Sequence, residues 1–244
     1  MKGRIVRPEQ AENKLELPEI GRLHIGMKVK NQYGKEYPTS VDYFIPTGKY
    51  AEMFTRSLGE KPNTISIIFP DDNPESVCNE RYEYRNDKGE LVARGDGTTF
   101  EIWDGKKYAP YSIERIPDLM QQVTAKNPKK TLNEDYDGWD VVLTMRFIVP
   151  AVRGVVGIWQ FSTKGRASSV KNIRNSFDGV QAMRGTVRNT VFDLSVAFAK
   201  SNKPGQNSRY PVVSMVANDN RIAEIKAALA PTQNVSMLLP EPKE

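Results

Sequence analysis

Val155-Val156-Gly157-Ile158-Trp159-Gln160-Phe161 leads through Ser162-Thr163-Lys164-Gly165 into a segment that carries apolar residues at Val170, Ile173, Phe177 and Val180. The first run is short, β-branched and aromatic, and reads as a strand. From Ala167 onward the apolar spacing is that of one helical face, so a helix follows the strand directly. Lys171 and Arg174 lie one turn apart on a different face, with Lys164 and Arg166 just before them. Cations at a helix start oppose the macrodipole, which favours anions there. An anion from outside the chain would relieve that conflict, and nucleic-acid phosphate is the obvious one. A solvated helix face carries the same pattern.

Around this stretch the chain alternates strands with few helices. Ile20–Val29 reads as a bent strand or strand pair around Gly21 and Gly26, and Tyr33–Pro38 carries turn chemistry. Val41–Ile45 is a short strand. Thr47 is a candidate cap for a helix over Tyr50–Leu58, with Gly59 as its left-handed terminator. Ile65–Phe69 is a buried-type strand. Arg81–Arg85 and Leu91–Arg94 flank Asn86-Asp87-Lys88-Gly89, a hairpin signal, and Thr99–Trp103 restarts a strand after Gly95-Asp96-Gly97. Ile113–Val123 has a helical pattern interrupted by Pro117. Val141–Val149 is a strong strand, Thr186–Ala199 and Tyr210–Ala217 hold β-like runs, and Arg221–Leu229 reads as a short helix before the tail.

The expected fold is α+β with β dominant: two lobes of mainly antiparallel sheet and a few helices. Residues 1–130 are expected to form a β-rich lobe with a short helix and a connector. Residues 131–244 are expected to form a strand–strand–helix–strand lobe with a basic surface and a mobile tail. That second order is compatible with an OB-like barrel, although fold does not fix function.

Composition limits the chemistry. The 244 residues suffice for a real core. A net charge of +5 suits an acidic partner. No apolar run approaches ~18 residues, so no membrane span is expected. The start, Met1 to Pro8, lacks the apolar region of a signal peptide. Cys78 is the one cysteine, so no intrachain disulfide forms, in keeping with a reducing cytoplasm. His24 is the one histidine, which leaves little material for His-paired nucleophiles or multi-histidine metal sites. Carboxylate-only Mg²⁺ sites remain open on composition.

Candidate site residues cluster in the second half. Ser162, Thr163, Ser168 and Ser169, near the helix start, are capping residues that can also bond phosphate oxygens. Trp159 and Phe161 share one strand face, where they either stack bases or fill the core. Arg184 and Arg188, then Lys200, Lys203 and Arg209, extend the positive trend. Between Lys164 and Arg209 only Asp178 and Asp193 oppose it. The binding candidates are therefore Trp159, Lys164, Arg166, Ser168, Ser169, Lys171, Arg174, Arg184 and Arg188. Thr163-Lys164-Gly165 fails the P-loop pattern, because Lys precedes Gly and the upstream Gly is misplaced. Asp71, Asp72 and Asp96 lie at turns and are the material for a weaker metal-hydrolase reading.

Gly21-Arg22-Leu23-His24-Ile25-Gly26, Pro38 with Asp42-Tyr43-Phe44, and Gly59-Glu60-Lys61-Pro62 leading to Ile67-Ile68-Phe69-Pro70 stand in that order along the chain. A tyrosine-bearing hairpin ending in Arg94-Gly95-Asp96-Gly97 follows, then Phe161–Gly165 with Ser168-Ser169 and Ile173. Together these motifs resemble phage recombination directionality factors that partner large serine integrases. The resemblance implies a non-enzymatic phage protein in the host cytoplasm. It would bind an integrase already on DNA, touching DNA directly or through the integrase, and bias recombination toward excision. It implies no small-molecule substrate and no cofactor. Members of that family often carry cysteines after the Gly-Asp-Gly turn, suggestive of zinc; Cys78 lies before it, and no metal is expected here. A single-stranded-DNA-binding or replication accessory protein is the alternative, for which strands, aromatics and a basic lobe would suffice.

Overall fold

The computed structural model describes residues 17–86, 88–112, 139–201 and 208–218, with the backbone alone at 166 and 167. Strand dominates, as the sequence pattern implies. In chain order the elements are β1 (Glu19–Lys30), β2 (Glu36–Thr47), α1 (Ala51–Leu58), β3 (Thr64–Ile68), α2 (Pro74–Val77) and β4 (Cys78–Arg85). These are followed by β5 (Leu91–Gly95), β6 (Thr99–Trp103), β7 (Tyr108–Ser112), β8 (Asp140–Phe147) and β9 (Ile158–Thr163). A single π turn, Arg166–Val170, then runs into α3 (Lys171–Arg184), and β10 (Val191–Lys200) and β11 (Arg209–Ala217) close the described chain.

The strands form two sheets. The large one has the order β2-β1-β9-β8-β4-β5-β6-β7 and the small one β11-β10-β3. All pairings are antiparallel except β1 with β9. Ile68 and Ile148 exchange backbone hydrogen bonds of 3.0 and 2.9 Å, which ties β3 to the end of β8.

The core lies between the sheets and α3. Leu143, Met145, Phe147, Trp159 and Phe161 from the large sheet meet Ile65, Ile67, Phe192, Leu194 and Val213 from the small one. Ile173, Phe177 and Val180 of α3 enter the same cluster, so the helical spacing in the sequence does mark the buried face. Phe69 meets Phe177 and Phe192 edge-on, with ring centroids 5.1 and 5.4 Å away. Burial of one such side chain is worth about 2–3 kcal/mol. A second, smaller cluster of Tyr84, Ala93, Phe100 and Trp139 holds the β4–β7 meander.

The expected boundary near residue 130 separates strands that are hydrogen-bonded to one another. β8 and β9 sit between β1 and β4, and one core draws on both halves. The boundary itself lies outside the described residues. The strands expected to build an OB-like second lobe are shared out instead: β8 and β9 go to the large sheet, β10 and β11 to the small one. Local pattern finds strands, but partner choice across the sheet is a long-range matter that spacing does not carry.

Several boundaries shift. β2 begins at Glu36, so Tyr37 and Pro38 are strand rather than turn, and β7 was not expected at all. Thr47 does not cap α1, which has no side-chain cap. Gly59 ends that helix with φ +88° and extended ψ of 174°, a conformation suited to Gly but not the left-handed helical one. Gly185 does adopt it, at φ 72° and ψ −7°, after α3. The helical pattern at Ile113–Val123, the helix at Arg221–Leu229, the start of the chain through residue 16 and its tail lie outside the described residues.

Candidate functional site

One face of the large sheet is covered by α3 and the small sheet; among the described residues the other, the open face, carries no second sheet. On the covered face β8 and β9 place Leu143, Met145, Trp159 and Phe161. Strand alternation therefore turns Thr144, Arg146, Gln160 and Ser162 to the open face. Register sets Arg22, Gln160 and Arg146 in a row across β1, β9 and β8. The next row joins Ser162, Thr144 and Asn79, with the two hydroxyls 3.0 Å apart. Arg81, Glu83 and Arg85 extend the same face along β4. Glu83 is 2% exposed, and each of its oxygens receives an arginine: Arg81 Nη2 at 2.7 Å and Arg85 Nη2 at 2.8 Å. A shallow groove of about 470 Å³ crosses this face beside Arg81, Arg146, Gln160 and Lys164.

His24 continues the face on β1, its Nε2 3.0 Å from Thr47 Oγ1. Burial, then the charge of Arg22, holds its imidazole below its ordinary value. A second groove, about 760 Å³, runs between β4, α3 and the β5–β6 turn, lined by charges of both signs that include Glu80, Arg94, Asp96 and Arg174. Cys78 lies in it, buried, and its thiol is pushed up to about 12 by desolvation and then by Asp178 and Glu80. A thiol in that state is a poor nucleophile.

The residues singled out from sequence fall into three groups. Trp159 and Ser169 are core: each is 1% exposed. The Trp159 ring packs 5.0 Å from Phe54 and presents no face to a base, which corrects the stacking option; Phe161 is likewise 1% exposed, edge-on to Phe44. Ser169 Oγ accepts the buried amide of Val213 at 2.9 Å, so it fastens the π turn to β11. Lys164 and Arg174 are exposed but ion-paired. Lys164 Nζ lies 2.7 Å from Asp140, and Arg174 lies 3.1 Å from Glu80 and 3.4 Å from Asp178. Glu80 beside it holds the Arg174 guanidinium charged, above its ordinary value.

Lys171, Arg184 and Arg188 form the third group, all on the surface. Arg184 reaches Thr190 Oγ1 at 3.5 Å, and the Arg188 amide donates to Asp72. Ser168 is half-buried in the π turn, where only the backbone of Arg166 is described. Besides Asp178, the anions facing this basic stretch come from across the fold, as Asp140, Glu80 and Asp72. A charge count along one segment does not see them.

The turn carboxylates are already engaged, Asp72 across the fold and Asp96 within its own turn. Asp72 Oδ1 accepts Thr186 Oγ1 and the Val187 amide at 2.7 Å each and the Arg188 amide at 3.0 Å. Burial pushes this carboxyl up, but those hydrogen bonds and the Arg188 charge outweigh it and leave it below its ordinary value. Asp96 accepts the Thr98 and Thr99 amides at 2.7 Å each, which lowers it too. Among the described residues no three His, Cys, Asp or Glu side chains are grouped to hold a metal ion. No described helix is long and apolar enough to cross a membrane.

Sequence reasoning singled out Ser162 and Lys164 on the open face but not Arg22, Arg81, Arg146 or Gln160. The signal of that face was nonetheless present in the alternation of Arg22, His24, Lys28 and Lys30 with Leu23, Ile25, Met27 and Val29.

Among the described residues, the molecule is thus a two-sheet β protein whose larger sheet has one broad polar face with no second sheet over it. The chain belongs to the Gp3-like, recombination directionality factor-like family, whose model matches residues 20–218. No curated protein and no solved structure matches it. The match runs through both sheets and α3, and it ties the chain to phage recombination.

Proposed function

We propose that this chain is a phage recombination directionality factor that binds a large serine integrase on DNA and switches it from integration to excision, in the host cytoplasm. The observation that carries the reading is the family match, which spans β1 to the end of β11 rather than one motif. A binding role also fits the site: Asp72 and Asp96 hold backbone amides, His24 meets a threonine, and Cys78 is buried. The single-stranded-DNA reading loses its aromatic platform with Trp159 and Phe161 in the core.

Mechanistically the factor needs only differential affinity. It must bind the integrase arrangement that synapses prophage ends more tightly than the arrangement that integrates. Moving that balance from 1:99 to 99:1 takes about 5.5 kcal/mol of difference. The test is recombination in vitro with the integrase of the same phage. Paired prophage-end sites should recombine only when the chain is present, and the integrating pair should be suppressed. Unchanged outcomes for both pairs would overturn the proposal.

A further inference from the structure

β1 continues beyond the sheet. It pairs with β9 only over Glu19–Leu23, whereas Gly26–Lys30 pair with Glu36–Ser40 alone among the described strands. The result is a two-stranded ribbon projecting past β9, with nearly every residue from 26 to 40 exposed. At ~3.4 Å per residue its five pairs reach about 15 Å. The tip is firm: Asn31 Oδ1 accepts the amides of Tyr33 and Lys35 at 2.9 and 3.0 Å, and the Asn31 amide donates to Lys35 O at 3.0 Å.

The two sides of the ribbon differ in chemistry. Met27, Val29 and Tyr37 give one apolar side. Lys28 and Lys30 occupy the other, in line on β1 with Arg22 and His24 of the open face, and Lys35 stands at the tip. Two acids meet this line: Glu19 pairs with Arg22 at 2.7 Å, and Glu36 lies 3.8 Å from Lys28 with both of those side chains at least half exposed. Exposed Arg146 prolongs the positive stripe across the sheet, in register with Gln160 and Arg22.

A narrow, basic, two-stranded ribbon has the shape the DNA major groove admits, about 12 Å wide and 8.5 Å deep. We infer that the polar side of this ribbon is a duplex-DNA contact, with Lys28, Lys30 and Lys35 on backbone phosphates and Arg146 on the flanking strand. These contacts position the protein and read no sequence. The inference rests on charge and shape, and it stands or falls separately from the recombination reading.

The experiment is anisotropy of a labelled duplex of about 20 base pairs, two helical turns, titrated with the full chain from about 50 to 200 mM salt. The wild-type chain should bind, with a log–log salt slope of roughly −3 to −4 for three or four phosphates. Lys28→Glu/Lys30→Glu should weaken binding at least about tenfold and flatten the slope by roughly 2. Lys28→Gln/Lys30→Gln gives the same test if reversed charges disturb the hairpin. Lys171→Glu/Arg188→Glu, on the α3 side, should bind as wild type. Absence of duplex binding by the wild type, preference for single strands, or ribbon variants that bind normally would each overturn the assignment. So would a loss confined to the α3-side variant. A chain that directs recombination yet ignores bare duplex sinks the contact and leaves the function standing; duplex binding without any effect on recombination does the reverse.

Discussion

Trp159 shows how one residue's meaning depends on what stands behind it. Its alternation with Phe161 allowed a base-stacking face, but Gly21 on β1 leaves the space that its indole fills. A Cβ at Gly21 would sit 2.4 Å from Trp159 Cζ3 and 2.8 Å from the Thr47 carbonyl. Trp159→Ala should therefore cost about 3–5 kcal/mol of stability in urea unfolding; a stacking residue on the surface would cost almost nothing. Asp72 is the polar counterpart, fastening the turn after β3 to the turn after α3. Asp72→Ala should cost about 1–3 kcal/mol at neutral pH through lost charge-assisted hydrogen bonds. The sign of its pH dependence follows from a folded-state carboxyl held below the ordinary 3.8. Its contribution is complete above that value and is lost as pH falls through the folded value, so the urea midpoints of wild type and variant should converge only as pH falls below 3.8. Convergence at higher pH, or none, would contradict this account of Asp72.

At the scale of elements, what the sequence made legible was local. The α3 core positions, the β4–β5 hairpin and the β3, β6 and β8 strands follow from period and turn chemistry, because those signals act over a few residues. β7 was hidden because Ala109 and Pro110 break the pattern in Tyr108–Ser112. The helix-start cations looked unmatched because Glu80, which meets Arg174, is 94 residues away in sequence. Likewise, the start of the ribbon's second arm was read as a turn since Tyr37-Pro38 resembles one, and Pro is tolerated there on an edge strand. The ribbon contributes little to the core, as its side chains are exposed. Replacing residues 27–39 with a tight Asn-Gly turn between Gly26 and Ser40 should leave the thermal midpoint within a few degrees of wild type. A large drop would show that the ribbon is structural.

For the whole molecule, the decisive fact is that the two halves of the chain are interleaved. β8 and β9 fill the place between β1 and β4, so neither half can complete the large sheet alone. Fragments 1–130 and 131–244, made separately, should lack cooperative thermal unfolding, and a mixture should regain it if they reassociate. A fragment that melts cooperatively by itself would contradict a shared core. Interleaving also explains why function could not be assigned to a basic second lobe: charges from both halves meet on both faces, and the open face draws on β1, β4, β8 and β9 together. What the described residues offer is a polar face without a covering sheet and a projecting ribbon, both suited to a partner on DNA. The central claim is that it acts by occupancy and not by turnover. Titrating the full chain into a fixed amount of integrase and prophage-end DNA tests this directly. Excision should rise with added chain and level off only near equivalence with integrase subunits; full excision at a small fraction of equivalence would mean catalytic action, and would contradict the account.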